Sequence, residues 1–521
     1  MTIIKTEDLA HEVISVLPEG VVHQIYCGLD TCVTFEVFEA LSSLLAGRRG
    51  PMTRTNDDEP EWPLLYSFER ALQAPALDMM LRGFAIDEFE RTRGIEDTRA
   101  SLVVIREQLD LLADAIRGEP RRGLNPSSPK QLKEFFYGHM RLPEIWTSQK
   151  GVKKLSLNRE TLERLDLYLH ARPIISLILA ARDLTKRLSV LETEVSYDGR
   201  MRTSYNIGGT NSGRWSSSSD VTGTGTNLQN ITPELRKMFV ADQGWKLCGI
   251  DLEQAESREV GWLLGILFGD WRYLEACEGG DLHTTTARLI WPNLGWTRDA
   301  KNNRILADTL FYREFSYRDM SKKGSHGTNY YGTPFTMARH LKVPTYIMEN
   351  FQESYFAAYP SIPRWHQWVA GQLQTCGVLT TPFGRSRQFF GRSDDDATLR
   401  KAIAFSPQSS TGDRLNLGLY RIWERMPQVQ LLAQVHDAVY FQFQDLGPEY
   451  EREIIQTALN LVRVTLTHNE RSFTIPGEAK IGWNWGLASA ASGRNPDGLV
   501  KWNPSKHDTR VRSANGKNRR L

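Results

Sequence analysis

A short apolar run that ends in a carboxylate is the feature that most constrains what this sequence can fold into. Residues 245–251 read Trp-Lys-Leu-Cys-Gly-Ile-Asp, which is typical of a buried β-strand, and a helix is expected to follow it. An ionised acid beside a core is costly unless it is paired or binds a metal ion. Asp251 therefore indicates either a metal ligand or a helix N-cap that accepts backbone N–H bonds.

A second acid stands in a similar setting much later in the chain. Residues 429–443 contain two alternating apolar runs that meet at His436-Asp437, which predicts a β-hairpin with this pair at its tip. Two carboxylates on adjacent strands can share a pair of divalent ions, and hard oxygen ligands favour Mg²⁺. An Asx-type turn beside a core histidine would produce the same pattern.

A basic segment lies between the two acids. Arg318, Lys322, His326 and Tyr330 recur at four-residue steps, so they lie along one face of a helix. Two cations one turn apart suit a polyphosphate, and the two rings suit a base or a sugar. A solvated basic helix is the alternative interpretation. Two glycines in the segment lower its helix propensity, so the close approach of a ligand or a hinge is expected.

Charge is unevenly distributed along the chain. The 521 residues contain 64 Lys and Arg against 62 Asp and Glu, which gives a net charge of only +2. Residues 296–345 nevertheless hold nine basic against four acidic side chains, and residues 489–521 hold eight against two. The hydrophobic fraction of 40% excludes a disordered or fibrous chain. Concentrated basic charge is compatible with a polyanionic partner.

The remaining composition indicates a cytoplasmic protein. Five cysteines without CxxC or zinc-like spacing are expected to be free thiols in a reducing compartment. No apolar run approaches the length of roughly 20 residues that spans a bilayer, so no membrane partner is expected. Acids within the first dozen residues argue against a signal or transit peptide. Residues 1–45 are expected to form short helices.

In chain order, the three segments resemble motifs A, B and C of family A DNA polymerases, the group typified by bacterial DNA polymerase I. Further matching segments are Asn227-Leu-Gln-Asn-Ile, Asp281-Leu-His and Ser406-Pro-Gln, and the resemblance extends over residues 64–487. It implies an α+β right-hand polymerase fold, in which the palm contains an antiparallel sheet and the fingers and thumb are helical. The implied domains are an N-terminal segment (1–63), the thumb and its entry (64–195), the palm (196–262 and 376–487), the fingers (263–375) and a basic C-terminal tail (488–521).

The resemblance also implies a reaction. Asp251 and Asp437 would bind two Mg²⁺ ions while the primer 3′-hydroxyl attacks the α-phosphate of a deoxynucleoside triphosphate. Lys322 would also donate a proton to the leaving pyrophosphate, and Glu256 would exclude a ribose 2′-hydroxyl. The implied nucleotide-binding residues are Arg318, Lys322, His326, Tyr330, His283, Glu256 and Gln254. The implied DNA-binding residues are Arg214, Gln408, His436, Asn227, Gln229 and Arg400.

Several positions depart from the family pattern. Leu252 follows the motif A aspartate where an aromatic residue is usual, and Ala438 stands where bacterial members often supply a third carboxylate. His326 replaces the usual Phe or Tyr, which puts any carry-over of dideoxynucleotide sensitivity in doubt. An added Tyr331 makes the segment more similar to bacteriophage members, and in that case the compartment would be the host cytoplasm.

The resemblance at the N-terminus is confined to one short motif. Tyr26-x-x-x-Asp30 resembles the last motif of the family's 3′–5′ exonuclease, and an ordinary helix would also contain such a pair. This chain alone is therefore not expected to proofread, and a separate exonuclease or processivity factor is a possible partner of a monomeric enzyme. The functional alternatives are a single-subunit RNA polymerase, a non-catalytic DNA-binding replication factor and a nuclease that uses the same metal pair.

Overall fold

The structure is a computed structural model, and helices contain most of the residues in its regular secondary structure. It describes residues 18–45, 65–149, 152–220, 223–488, 495–504, 510–512 and 518–520. The helices are α1 (Glu19–Leu45), α2 (Leu65–Ala71), α3 (Gln73–Arg82), α4 (Glu88–Arg117), α5 (Pro129–Lys133), α6 (Arg159–Leu165), α7 (Arg172–Leu191), α8 (Ala255–Phe268), α9 (Arg272–Glu278), α10 (Leu282–Ile290), α11 (Ala300–Ala307), α12 (Tyr317–Asn329), α13 (Pro334–Leu341), α14 (Thr345–Ala358), α15 (Ser361–Thr375), α16 (Asp396–Arg425) and α17 (Pro448–Val462).

The strands are shorter, and most of them pair as small antiparallel ribbons. They are β1 (Phe84–Ile86), β2 (Trp146–Gln149), β3 (Val152–Leu155), β4 (Arg200–Met201), β5 (Ser204–Asn206), β6 (Ser216–Ser218), β7 (Phe239–Val240), β8 (Trp245–Leu252), β9 (Leu310–Tyr312), β10 (Phe315–Ser316), β11 (Val378–Thr380), β12 (Ser386–Gln388), β13 (Val429–Val435), β14 (Ala438–Gln444), β15 (Thr465–His468), β16 (Arg471–Thr474), β17 (Gly477–Gly482), β18 (Val500–Lys501), β19 (Arg510–Arg512) and β20 (Asn518–Arg520).

The chain divides into two compact units. The helical unit comprises Met1–Gln73, Glu256–Asp413 and Val464–Thr474, and the sheet unit comprises Ala74–Ala255, Arg414–Arg463 and Ile475–Leu521. The thumb, palm and fingers boundaries given above remain predictions. Residues 1–17 and 46–64, which include much of the predicted N-terminal segment, lie outside the described residues, and so do residues 489–494, 505–509, 513–517 and 521 of the predicted tail.

The sheet unit is organised around a five-stranded sheet with the order β13-β14-β8-β17-β18. All of its neighbouring strands are antiparallel. β8 lies between β14 and β17 in this sheet. Its residues 246–250 are buried, and the next residue, Asp251, is exposed. Gly249 allows this packing, since a Cβ atom there would lie 2.5 Å from the Tyr440 ring. The sheet therefore places residue 251 where the buried part of the strand ends.

Two apolar clusters support the sheet unit. Phe84, Phe239 and Trp485 pack ring against ring, with centroids 5.4 to 5.7 Å apart. Each such fully buried ring stabilises the fold by about 1.5–3 kcal/mol relative to an exposed one. A second cluster, which includes Phe135 and Phe136, fills the space among α4 to α7. These clusters keep the backbone around the sheet fixed.

The helical unit has one large core. Buried side chains from α8, α9, α12, α14 and α15 form it, and Trp365, Tyr273 and Tyr355 are its largest fully buried members. At its margin, Arg385 pairs with Glu69 and with the fully buried Asp413. Burial raises the pKa of Asp413, and the adjacent Arg385 guanidinium opposes that change. The Arg385 contacts join α2, the β11–β12 ribbon and α16 within this unit.

Most of the secondary structure expected from the sequence is confirmed, but one expectation is wrong. β8 and the β13–β14 hairpin form where the apolar patterns placed them. Residues 1–45 were expected to form short helices, whereas the described part contains the single 27-residue helix α1. All five cysteines are free thiols. No helix in the described ranges has the length and apolar character needed to span a bilayer.

Candidate functional site

Asp251 lies at the end of β8, in a recess of the sheet unit. The recess has a volume of 300 Å³ and is lined by Asp251, Leu252, Glu253, Gln254, Glu478 and Lys501. Solvent reaches the Asp251 side chain from the mouth of the recess, but surrounding protein displaces much of the water around the carboxylate. This burial is the largest cause of the raised pKa of Asp251, which is about 6. The nearby Lys480 ammonium lowers this pKa, whereas the Asp437 and Glu478 carboxylates raise it further.

Asp437 lies at the tip of the neighbouring hairpin. Its backbone C=O accepts a hydrogen bond from Leu252 N–H at 3.1 Å, so the two aspartates belong to directly paired chain segments. His436 adopts φ +55°, the left-handed conformation that makes this turn tight. Arg214 Nη2 donates to Asp437 Oδ1 at 3.2 Å. The sequence predicted Arg214 as a DNA contact, and the structure places it on a predicted metal ligand.

The pair of carboxylates suits a divalent cation that is only partly coordinated by protein. Carboxylate oxygens are the ligands that Mg²⁺ prefers, and a cation would offset the repulsion that helps to raise the pKa of Asp251. Within the described residues, no three His, Cys, Asp or Glu side chains are grouped so that they could hold a metal ion. Water and substrate oxygens would therefore complete the coordination, as is usual for Mg²⁺ at phosphate-transfer sites.

A polar chain leads from the predicted DNA-binding residues to the hairpin tip. Ser217 Oγ donates to Asn227 Oδ1 at 2.6 Å, and Gln229 Nε2 donates to Gln434 Oε1 at 2.8 Å. Gln434 Nε2 in turn donates to the backbone C=O of His436 at 3.2 Å. Three predicted DNA contacts, Asn227, Gln229 and His436, therefore lie in the same region of the sheet unit. Gln434 was not identified from the sequence.

The predicted basic helix is α12 of the helical unit. Ser316 and Asp319 form a reciprocal capping box at its start, and Tyr330 follows its last residue. Lys322 and His326 are exposed, while Arg318 and Tyr330 are partly buried. The opposite face of α12 is buried in the core of this unit. The residues of the four-residue repeat therefore lie on one face of α12, as their spacing predicted.

Arg318 is held by an acid that the sequence did not single out for this role. Its Nε donates to Asp281 Oδ2 at 2.7 Å, and its Nη2 donates to Oδ1 at 3.1 Å. Asp281 also caps α10 by accepting from His283 N–H. Burial alone would raise the pKa of Asp281, but hydrogen bonds from Arg318 and Thr284 and the charges of Arg318 and Arg304 lower it to about 2. The acid is thus ionised and fixes the orientation of Arg318.

His283 is a neutral side chain at physiological pH. Burial is the largest cause of its lowered pKa, and the Arg318 and Lys322 charges lower it further, to about 4, against the opposing charge of Asp281. A phosphate contact made by His283 in this state would be a neutral hydrogen bond and not an ion pair. The phosphate contact of His283 remains a prediction from the sequence.

Glu256 and Tyr330 are joined within the helical unit. Tyr330 Oη donates a short hydrogen bond to Glu256 Oε2. The His326 ring lies edge-on to the Tyr330 ring, with centroids 4.9 Å apart. Three of the predicted nucleotide-binding residues are therefore in a connected row. Gln408 and Arg400 lie on the α16 portion of the same unit, where Gln408 is partly buried and Arg400 is exposed.

A buried network holds the C-terminal end of α12. Asn329 Nδ2 donates to Tyr273 Oη at 2.9 Å, Asn329 Oδ1 accepts from Tyr355 Oη at 2.9 Å, and its backbone C=O lies 2.9 Å from His366 Nε2. At Gly324, where a ligand or a hinge was expected, the structure shows close packing, because a Cβ atom there would lie 2.6 Å from the Phe351 ring. The sequence reading did not identify the Asn329 network, since its members are distant in the chain.

Comparison with known sequences is consistent with this arrangement. A sequence profile of DNA polymerase family A matches residues 98–487. The chain is 29% identical over 396 residues to the thermostable DNA polymerase I of Thermus aquaticus, which covers 72% of this chain and 43% of the relative. It is 28% identical over 421 residues to DNA polymerase I of Helicobacter pylori strain J99, covering 76% of this chain and 42% of the relative.

A solved structure supports the fold. The polymerase domain of Pol1 from M. smegmatis, in complex with DNA primer-template and dNTP, matches with a TM-score of 0.62 at 22% identity and covers 80% of this chain and 69% of that one. The α+β polymerase fold expected from the sequence is thus confirmed, and the chain belongs to DNA polymerase family A. It spans less than half the length of the two bacterial relatives.

Proposed function

We propose that this chain is a DNA-directed DNA polymerase that adds deoxynucleotides to a primer 3′-hydroxyl. The observation that carries the proposal is the placement of Asp251 and Asp437 on directly paired segments, where Asp437 is one cause of the raised pKa of Asp251. A carboxylate pair of this kind is suited to cations that bind phosphate oxygens. Family membership supports the choice of reaction, and the primer-template and dNTP in the M. smegmatis complex support the choice of substrates.

The chain supplies ligands, phosphate contacts and a proton. Asp251 and Asp437 would hold two Mg²⁺ ions, and Arg214 orients the Asp437 carboxylate through its hydrogen bond. Bound divalent ions at such a site activate the attacking hydroxyl and stabilise the leaving oxygen. Arg318, oriented by Asp281, and the exposed Lys322 bind the triphosphate, and Lys322 donates a proton to the leaving pyrophosphate.

DNA contacts come from both units. In the sheet unit, His436 is part of the hairpin tip and Gln229 is connected to it through Gln434, while Asn227 accepts from Ser217 in the same region. Donors there would contact minor-groove acceptors that all correct base pairs share, so they would check geometry without reading sequence. In the helical unit, Gln408 and Arg400 of α16 are the residues proposed to contact DNA. Gln254 lines the Asp251 recess and is proposed to contact the nucleotide.

The proposed type of family member, its compartment and its working form follow from the sequence resemblance. The pattern around His326 and Tyr331 supports a bacteriophage-type member that acts in the host cytoplasm. No membrane partner is part of the proposal. A monomeric enzyme, assisted by a separate exonuclease or processivity factor, is the proposed working form.

Glu256 is the residue proposed to select deoxynucleotides over ribonucleotides, and this selectivity separates a DNA polymerase from an RNA polymerase. Its carboxylate is fixed by Tyr330 Oη, so it cannot move freely to admit a ribose 2′-hydroxyl. On a primed template with Mg²⁺, we expect efficient extension with deoxynucleotides and little with ribonucleotides. Glu256→Ala should reduce this discrimination by roughly 10- to 200-fold, because the smaller side chain leaves room for the hydroxyl.

Kinetic constants for each matched deoxy- and ribonucleotide pair measure the effect. Tyr330→Phe is the matched variant, since it removes the hydrogen bond but keeps the ring and the carboxylate, and it should relax discrimination less. Equal use of both sugars by the unmodified protein would favour the single-subunit RNA polymerase. No template-dependent extension with either sugar would contradict the proposal and favour a non-catalytic DNA-binding factor.

A further inference from the structure

The recess beside Asp251 has a wall that comes from outside the part of the chain matched by the family profile. The profile ends at residue 487, whereas β18 includes Val500 and Lys501. β18 pairs with β17 and so extends the sheet that carries Asp251. Among the described residues that line the recess, Lys501 is the one with a positive charge, and it faces three acids.

β18 is anchored by several contacts that do not involve the Lys501 charge. Leu499 is buried in the core of the sheet unit, and Trp502 N–H donates to the Ala479 C=O at 2.9 Å. Asn495 and Asn484 exchange two side-chain amide hydrogen bonds of 2.7 and 2.9 Å. The backbone on both sides of Lys501 is therefore anchored by packing and by hydrogen bonds. The Lys501 ammonium group is not one of these anchoring contacts.

Two lysines share one carboxylate at this wall. Lys501 Nζ donates a short hydrogen bond to Glu478 Oε2, and Lys480 Nζ lies 3.4 Å from Glu478 Oε1. Glu478 stands directly opposite Asp251 in the β8–β17 register, and Lys480 stands opposite Lys501. If Lys501 moved to another anion, Glu478 would still be paired with Lys480. The cost of releasing Lys501 is therefore small.

Lys501 is also the more exposed partner of the pair. Its side chain is 68% exposed, against 24% for Glu478 and 31% for Lys480. An ion pair that involves so exposed a lysine contributes little to the stability of the fold. A compact ammonium on a flexible stem is well suited to bind a phosphate oxygen as a point charge.

We propose that Lys501 binds the phosphates of the incoming nucleotide and of the pyrophosphate product in the Asp251 recess. This inference rests on the polymerase function proposed above. In the unliganded protein Glu478 holds the ammonium beside the recess, and on substrate binding the ammonium exchanges this partner for a phosphate oxygen. The tail strand would thus add a phosphate contact that the family-matched region of the chain does not contain.

Steady-state kinetics of extension and of its reversal test the proposal. Lys501→Ala should raise KM for deoxynucleotide in extension, and KM for inorganic pyrophosphate in primer degradation, by about three- to fivefold. Lys501→Arg should restore much of the loss, and the thermal midpoint of both variants should stay close to that of the parent protein. Lys237→Ala is the matched control, because Lys237 forms a comparable ion pair with Glu90, 2.6 Å away, in the same unit.

A chemical measurement provides a readout that does not depend on turnover. Acylation of lysines, followed by mass spectrometry, should show Lys501 protected when a chain-terminated primer-template and the next deoxynucleotide are bound, whereas Lys237 should be unaffected. Unchanged KM values in an active Lys501→Ala enzyme, or equal changes in Lys237→Ala, would overturn the proposal. That result would leave the polymerase assignment intact, since the assignment is tested separately by template-dependent extension and by substitution of Asp251 and Asp437.

Discussion

The acidic site of the sheet unit and the basic helix of the helical unit handle their charges in opposite ways. At the sheet, burial and the neighbouring carboxylates raise the pKa of Asp251 to about 6. The nearby positive charges therefore do not fully stabilise its ionised form. On α12, Arg318 is already satisfied by Asp281, and Lys322 is exposed to solvent. A bound cation would therefore stabilise the acidic site, whereas the basic helix has its arginine paired and presents the Lys322 charge to solvent.

The difference indicates what each region contributes. A site whose acids repel each other gains free energy when a cation binds, so cation binding and catalytic readiness are coupled there. A helix whose arginine is fixed by its own acid can present that arginine in one orientation before any ligand arrives. Substitutions on α12 should therefore change substrate binding and turnover, while substitutions at the sheet should also change stability in a manner that depends on pH and on metal.

The largest effect that sharpens this contrast is expected at Lys322. Lys322→Ala should lower kcat/KM for deoxynucleotide by roughly 10²- to 10³-fold, because it removes a donor aimed at charge that develops on the phosphates. Lys323→Ala is the matched control one residue away, since the Lys323 ammonium lies over the Phe315 ring, 5.5 Å from its centroid. Similar losses in both variants would show that general basic charge, and not the face defined by the four-residue repeat, is responsible.

A smaller effect, on stability, is expected at Asp251. The folded protein holds a proton on Asp251 more tightly than the unfolded chain does, so this group's contribution to stability is complete below the ordinary pKa of 3.8 and is lost as the pH rises through about 6. In metal-free buffer at about pH 8, Asp251→Asn should therefore raise the thermal midpoint, by about 2 °C, and the gain should vanish near pH 4.

An acid with the opposite shift supplies the control for this experiment. The Arg202 hydrogen bond lowers the pKa of Asp198, so Asp198→Asn should lower the thermal midpoint at about pH 8. Addition of Mg²⁺ should stabilise the parent protein more than Asp251→Asn, since the variant lacks one ligand. If Asp251→Asn were destabilising at that pH without metal, the carboxylate would be well compensated, and the contrast between the two regions would be wrong.

The sequence predicted the elements whose signals are local. β8 and the β13–β14 hairpin follow from apolar alternation, and α12 follows from its four-residue repeat. The ordered combination of these segments was enough to predict the family and the α+β fold, which the comparisons confirm. The roles of Asp251, Asp437 and the residues around them remain predictions supported by geometry.

The features that were missed depend on contacts between distant parts of the chain. Asp281 was noted as part of a matching segment, but its hold on Arg318 requires α10 and α12 to pack together. Asn329 contacts three rings from separate helices, so no local pattern identifies it. Lys501 reaches the Asp251 recess only because β18 joins the edge of the sheet, and a two-residue strand has no periodicity that a sequence can show.

The central claim is that Asp251 and Asp437 together are the catalytic pair, and single-turnover addition of one deoxynucleotide tests it most directly. Asp251→Asn and Asp437→Asn should each slow the step at least about 10³-fold while primer-template binding is retained. Asp445→Asn is the control, an acid at the far end of the same hairpin that contacts Lys246 at 3.1 Å, and it should remain close to the parent rate. A rate near the parent value in either of the first two variants would contradict the account.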